Sequence, residues 1–206
     1  DNILKFVGDA QNHLLTPDEI DDFVELTRQT AGGEEVDALL TRWADLSRAY
    51  RAYQDVKLDA GALDYGDQIL YAVRLLEEFP DVAAELRRRS THVYVDEYQD
   101  TNSAQRRLLL GVIGPNNPNL FVIGDDDQAI FRFQGATVRN ILGLTEERSL
   151  AGAKPTVKTL VLNRRSRPPL LDLANPIAAR IHERRQKDLR HLLDGRAVIG
   201  AFVADG

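Results

Sequence analysis

Two short apolar runs that each end in acids, set one helix-length apart, restrict this chain more than any other feature. Val93, Tyr94 and Val95 lead into Asp96 and Glu97, while Leu120 to Ile123 lead through Gly124 into Asp125, Asp126, Asp127 and Gln128. Runs of β-branched and aromatic residues of this length read as buried strands. Between them, TNSAQRRLLLGVI reads as a helix, with Asn102 and Gln105 at capping-box spacing and Leu108, Leu109 and Val112 on its buried face. Strands alternating with helices at this spacing predict a parallel sheet. Both acid groups then emerge at the C-terminal strand edge, the crevice in which open α/β sheets bind phosphorylated ligands.

These acids admit two readings. In one they merely finish strand-to-helix turns. In the other, Asp96 holds Mg²⁺ through water and Glu97 polarises an attacking water, which is a Walker B arrangement. Asp100, Thr101 and Asn102 are better placed to cap the following helix, and that frees the first pair. Three adjacent carboxylates repel one another, so Asp125 to Asp127 are a poor way to end a strand for stability alone. Gln128 is a neutral group able to bridge a phosphate oxygen and a water. Beyond it, Phe131 and Phe133 alternate with Arg132 and Gln134 before Gly135, a pattern that serves either a core or the stacking of exposed bases.

DEYQD at 96–100, GDDDQAIFRFQGA at 124–136 and LNRRS at 162–166 resemble, in order and spacing, motifs II, III and IV of the UvrD/Rep/PcrA group of superfamily 1 DNA helicases. A weaker likeness runs through LDYGDQIL at 63–70 and PPLLDLANPI at 168–177, so that it covers most of residues 60 to 200. The resemblance implies a DNA helicase or translocase of 3′-to-5′ polarity that uses ATP and Mg²⁺ and acts on single-stranded DNA and single-strand/duplex junctions. It gives Asp96 to Mg²⁺, makes Glu97 the general base, sets Gln128 to sense the γ-phosphate and brings Arg165 onto that phosphate during transfer. Phe131 and Phe133 fall where the family stacks aromatics on or near single-stranded DNA. Three positions depart from the pattern. Arg164 stands where the family usually has an adenine-stacking Tyr, Gln134 where it usually has a backbone-contacting Arg, and Leu162 where Gln is common.

The implied fold class is α/β, a partial RecA-like parallel sheet with flanking helices, preceded by a mostly helical subdomain. Residues 1–62 correspond to the helical insertion called 1B. Residues 63–190 correspond to domain 1A without its phosphate loop, and 191–206 to the start of a second motor domain. No G-x-x-x-x-G-K-(S/T) occurs in the chain, so the lysine and backbone cradle for β- and γ-phosphates are missing from it. With no methionine either, the 206 residues read as an excised or processed piece of something longer, or as a chain whose methionines take a modified form. A reading from another class therefore stands beside the first: a non-enzymatic module for single-stranded DNA or protein binding that retains helicase-like motifs. A helicase fused to a nuclease domain is a third reading, on which the residues are silent.

Charge is mixed evidence. The net charge of −6 has the wrong sign for a general nucleic-acid binder. Yet residues 1–40 carry 10 acids against 2 basic residues, whereas 160–190 carry 8 basic residues against 3 acids. Local basic surface rather than the total decides DNA contact, although a solvated helix face explains the same cluster. The chain has no cysteine and no apolar run near 18 residues, which excludes disulfides and suits a cytoplasmic protein with no membrane span. Its four histidines follow no ligand spacing.

Before Val93 the pattern is helical. Thr16, Pro17 and Glu19 form a start signal, with Ile20, Phe23 and Val24 facing inward and Gly32 and Gly33 ending the helix. Val36, Leu39, Leu40, Trp43, Leu46, Tyr50 and Tyr53 then make a buried stripe. Asp64 and Asp67 cap a helix from Tyr65 to Phe79 that carries Ile69, Leu70, Val73 and Leu76 inward and stops at Pro80. After the second acid group, Val157 to Leu162 reads as a third strand. It brings Arg165 to the edge shared by Glu97 and Gln128 if the strands are parallel neighbours. Pro168 and Pro169 open a helix with Leu171, Leu173, Ala174 and Ile177, in which Pro176 predicts a break or kink, and Ala197 to Val203 reads as a last strand.

Overall fold

The computed structural model describes residues 2–114, 119–129, 156–180, 190–191 and 198–203, with backbone alone at 161, 190–191 and 198–203. The chain divides into two compact units, Asp1–Leu75 with Ser103–Leu108, and Leu76–Asn102 with Leu109–Gly206.

The first unit is helical: α1 (Asn2–Asn12), α2 (Pro17–Thr30), α3 (Glu34–Asp59) and most of α4 (Tyr65–Glu78). Helix α2 starts as its sequence predicts. The Thr16 hydroxyl accepts from the Glu19 amide at 3.3 Å, and the Glu19 carboxylate accepts from the Thr16 amide at 2.8 Å. Two of the helix's orphan donors are thereby satisfied. Thr16→Ala is expected to cost about 1 kcal/mol, read as a lowered urea midpoint at unchanged slope.

Val7, Ala10, Ile20 and Tyr50 form the core of this unit, with Phe6, Trp43 and Tyr53 packed against it. Two inward assignments fail here. Phe23 is 52 % exposed, its ring lying 6.0 Å from that of Trp43, and Leu39 faces solvent. A 3.6-residue period drifts around a long helix, so a stripe written at three- and four-residue steps overreaches the width of the packed face. Gly33 serves as the N-cap of α3 rather than as the last word of α2, which ends at Thr30 with Ala31 as its cap.

Asp64 and Asp67 do cap α4, each accepting the other's amide, at 2.8 Å for Asp67 N–H and 3.1 Å for Asp64 N–H. They also do more. Lys57, near the end of α3, reaches both carboxylates, at 2.7 Å to Asp64, while Gln11 donates to both at 3.0 Å. The Tyr53 hydroxyl adds a bond to Asp64 at 3.0 Å, and the Lys57 ammonium lies 4.3 Å from the centre of the Tyr53 ring. Lys57 and Asp67 are both buried.

The second unit holds the sheet. Helix α5 (Pro80–Arg89) opens on Pro80 at its first turn and leads to β1 (Val93–Val95). Helix α6 (Ser103–Ile113), whose first six residues belong to the first unit, connects to β2 (Leu120–Gly124). The two strands pair in parallel with Val93 opposite Leu120 and Val95 opposite Val122. Tyr98, Ile113, Leu120 and Val122 are their core, backed by Val93, Val95, Leu109, Leu110 and Ala129. Leu108, Leu109 and Val112 are half-buried rather than sealed.

The rest of the sheet is mixed, not parallel throughout. Its order is β1-β2-β5-β3-β4, with β3 (Thr156–Asn163), β4 (Arg190–His191) and β5 (Val198–Val203). Strand β5 pairs antiparallel with β2 on one side and with β3 on the other, and β4 pairs in parallel with β3. Two antiparallel steps leave β3 running in the same direction as β2. Helix α7 (Pro168–Ala178) follows β3 and continues through Pro176 to Ala178, with Leu171 buried and Leu173 and Ile177 exposed. Pro176 has no N–H to donate to the Asp172 carbonyl, yet the helix runs on past it to Ala178.

Candidate active site

The chain leaves β1 by a sharp turn. Asp96 and Glu97 are exposed, yet the next two residues, Tyr98 and Gln99, are 0 % and 1 % exposed. The change of direction falls on Glu97, whose backbone is left-handed at φ 50° and ψ 40°. That conformation costs a non-glycine residue on the order of 1 kcal/mol or more and concentrates at functional sites. A 3₁₀ turn over Tyr98–Asp100 follows, closed by Asp100 N–H to the Glu97 carbonyl at 2.9 Å and by Thr101 to the Tyr98 carbonyl.

Asp96 Oδ1 accepts the Glu97 amide at 2.9 Å, and Glu97 Oε2 accepts from the Gln99 side chain at 2.6 Å. Asp100 is half-buried, and its Oδ1 has no hydrogen-bond partner among the described residues. Burial, with the charge of Glu97 added, pushes its carboxyl above the ordinary range.

At the end of β2 the three acids separate in role. Asp125 caps a 3₁₀ turn over Asp126–Gln128, its Oδ1 accepting the Asp127 amide at 3.1 Å, and Asp126 is buried. The Gln128 side chain is exposed and donates to Asp125 Oδ2 at 2.7 Å. The Asp125 amide donates in turn to the side-chain oxygen of Gln99, Oε1, at 2.9 Å, joining the two strand ends. Part of the acid run is therefore local capping, which reading its repulsion alone did not anticipate.

Asp96, Glu97 and Gln128 thus issue from the C-terminal ends of two adjacent parallel strands. Arg164 and Arg165 follow β3 and are exposed, in a turn held by Asn163 Oδ1, which accepts the amides of Arg165 at 2.9 Å and Ser166 at 2.6 Å. The condition set on Arg165 is not met in the sheet, since β5 lies between β2 and β3. Phe131, Phe133 and Gln134 lie outside the described residues. Gln99 and Asn163 lie within DEYQD and LNRRS, but those motifs alone give neither residue a role.

Comparison with known proteins decides the family. The model of the UvrD/REP helicase N-terminal domain matches residues 1–149. The chain belongs to the UvrD/Rep helicase family. ATP-dependent DNA helicase UvrD1 of Mycobacterium tuberculosis (strain ATCC 25618 / H37Rv) is 39% identical over 173 residues, covering 78% of this chain and 22% of that protein. ATP-dependent DNA helicase PcrA of Bacillus subtilis (strain 168) is 32% identical over 190 residues, covering 91% and 23%. PcrA of Leuconostoc citreum is 30% identical over 189 residues, covering 91% and 22%. This UvrD/Rep-family chain spans about a fifth of the length of these relatives. No helix among the described residues is long and apolar enough to cross a membrane.

Proposed function

We propose that these residues form part of the motor of an ATP-dependent DNA helicase of 3′-to-5′ polarity, which couples ATP hydrolysis to movement on single-stranded DNA and to unwinding at junctions. The observation that carries this is Glu97: a left-handed acid with an exposed side chain at the end of β1, beside the parallel strand that ends in Gln128. Family membership and the names of its relatives supply the reaction class.

In this reading DEYQD, GDDDQAIFRFQGA and LNRRS are motifs II, III and IV on a RecA-like 1A domain. Residues 1–62 are the 1B-like insertion, and 191–206 begin the second motor domain. Glu97 accepts the proton of the attacking water, Gln128 senses the γ-phosphate, and Arg165 stabilises the charge that develops during transfer. Arg164 stacks its guanidinium plane on adenine in place of an aromatic ring. Phe131, Phe133 and Gln134 meet single-stranded DNA.

Asp96 fits a role toward Mg²⁺. It is exposed, its Oδ1 takes the Glu97 amide, and its Oδ2 has no hydrogen bond among the described residues, leaving an oxygen for a hydrated ion. The ion, when bound, neutralises charge on the β- and γ-phosphate oxygens.

DNA-stimulated ATP hydrolysis by the protein to which these residues belong tests the proposal. Stimulated turnover supports it, and no turnover above background with any DNA refutes it in favour of a binding module. The 206-residue chain alone is expected to hydrolyse ATP at background rate, because it contains no phosphate-loop lysine. Steady-state turnover by the chain alone that Glu97→Gln abolishes contradicts that expectation.

A further inference from the structure

Gln99 is sealed from solvent at the junction of the two strand ends, and both ends of its carboxamide are committed. Nε2 donates to Glu97 Oε2 at 2.6 Å and Oε1 accepts the Asp125 amide at 2.9 Å. The partners fix the amide's orientation, since a carboxylate only accepts and a backbone N–H only donates. Asp125 Oδ2 takes the Gln128 side chain at 2.7 Å. A hydrogen-bonded path therefore runs Glu97, Gln99, Asp125, Gln128, from the acid after β1 to the amide after β2.

A buried amide is costly where a hydrocarbon would fill the same space, unless its hydrogen bonds are needed. Here the two bonds go one to each of the turns that carry the site. Glu97 meanwhile is exposed, and an exposed glutamate otherwise samples many rotamers. We propose that Gln99 is a positioning residue: it holds the Glu97 carboxylate in one place and ties that place to the turn bearing Gln128. This rests on reading Glu97 as the general base.

The test is steady-state ATP hydrolysis by the protein to which the chain belongs, with saturating single-stranded DNA. Gln99→Met keeps the volume and removes both bonds. Gln99→Glu keeps the size and the acceptor for Asp125 but removes the donor to Glu97. Each is expected to lower kcat by about 10- to 100-fold, as small misplacements of a reacting group do, with KM for ATP within about 3-fold of wild type. Placed on Glu97→Gln, either substitution is expected to add almost nothing, because the group it positions is already gone. A kcat at the wild-type level in both variants overturns the proposal. So do losses that multiply with Glu97→Gln while melting temperature and KM shift in step, which is the signature of packing alone. If Glu97→Gln itself hydrolyses at the wild-type rate, the general-base reading falls and the positioning role falls with it. That failure is told apart because it needs no change at Gln99.

Discussion

Glu97→Gln is expected to cut DNA-stimulated ATP hydrolysis by about 10²- to 10⁴-fold in kcat, the usual worth of a positioned base. The substitution keeps the side chain's length, and the new amide oxygen still accepts from Gln99, so nucleotide and DNA binding should persist. Arg165→Ala is expected to cost as much or more, about 10³- to 10⁵-fold, the range for an arginine that meets charge on a transferring phosphoryl group. The two differ in what else they change. Removing the base leaves ground-state affinity for ATP intact, while removing the arginine also takes a cation from the γ-phosphate and raises KM. Initial rates across ATP concentrations for wild type and both variants separate these effects. Equal and negligible rates in all three mean that the strand ends carry no chemistry here. A wild-type rate in Arg165→Ala, beside a dead Glu97→Gln, leaves the base in place and removes Arg165 from the phosphate. The sheet order gives that outcome physical content, since β5 separates β3 from the strands that bear Glu97 and Gln128.

What the sequence disclosed was local and periodic. The β1–α6–β2 unit follows from short β-branched runs and one amphipathic helix, and the Thr16 cap from a four-residue signal. Pairing partners at long range were not legible in the same way. Nothing in VIGAFV states that β5 inserts between β2 and β3 or runs against them, because strand periodicity fixes faces and not neighbours. The left-handed turn at Glu97 was equally hidden. It arises because Tyr98 and Gln99 go inward directly after two solvated acids, a demand of packing and not of the propensity of Glu. Asp64 and Asp67 show the same limit from the other side. Their capping is written in the chain, whereas the cation that they share comes from another helix.

That shared cation carries the largest stability effect expected. Lys57→Met should destabilise the helical unit by about 3–5 kcal/mol at pH 7, the range for removing one partner of a buried ion pair, because the buried Asp67 carboxylate and the half-buried Asp64 carboxylate are left without their counter-charge. The pH dependence gives the cause. In the wild type, burial works to raise Asp64, but hydrogen bonds from Lys57, the Asp67 amide and Tyr53 outweigh it and hold the carboxyl below its ordinary value. Burial likewise works to lower Lys57, and the bonds to Asp64 and Asp67 outweigh it and raise the ammonium's pKa. A lowered acid contributes stability above its unfolded value, about 4, that is lost as pH falls through the folded value. A raised base contributes stability below its unfolded value, about 10.4, that is lost as pH rises through the folded one. The wild-type cluster is thus at full strength between those limits. In Lys57→Met, Asp64 keeps its bonds from the Asp67 amide and Tyr53 but loses the ammonium, so its carboxyl moves up and the variant loses less stability than the wild type as pH falls. The penalty should be greatest near neutrality and shrink toward pH 4. Urea unfolding followed by the fluorescence of Trp43, the chain's single tryptophan and a member of this unit, measures it directly. A cost below about 1 kcal/mol, or one that is flat from pH 7 to 4, means that the buried cluster is held by packing and not by its charges.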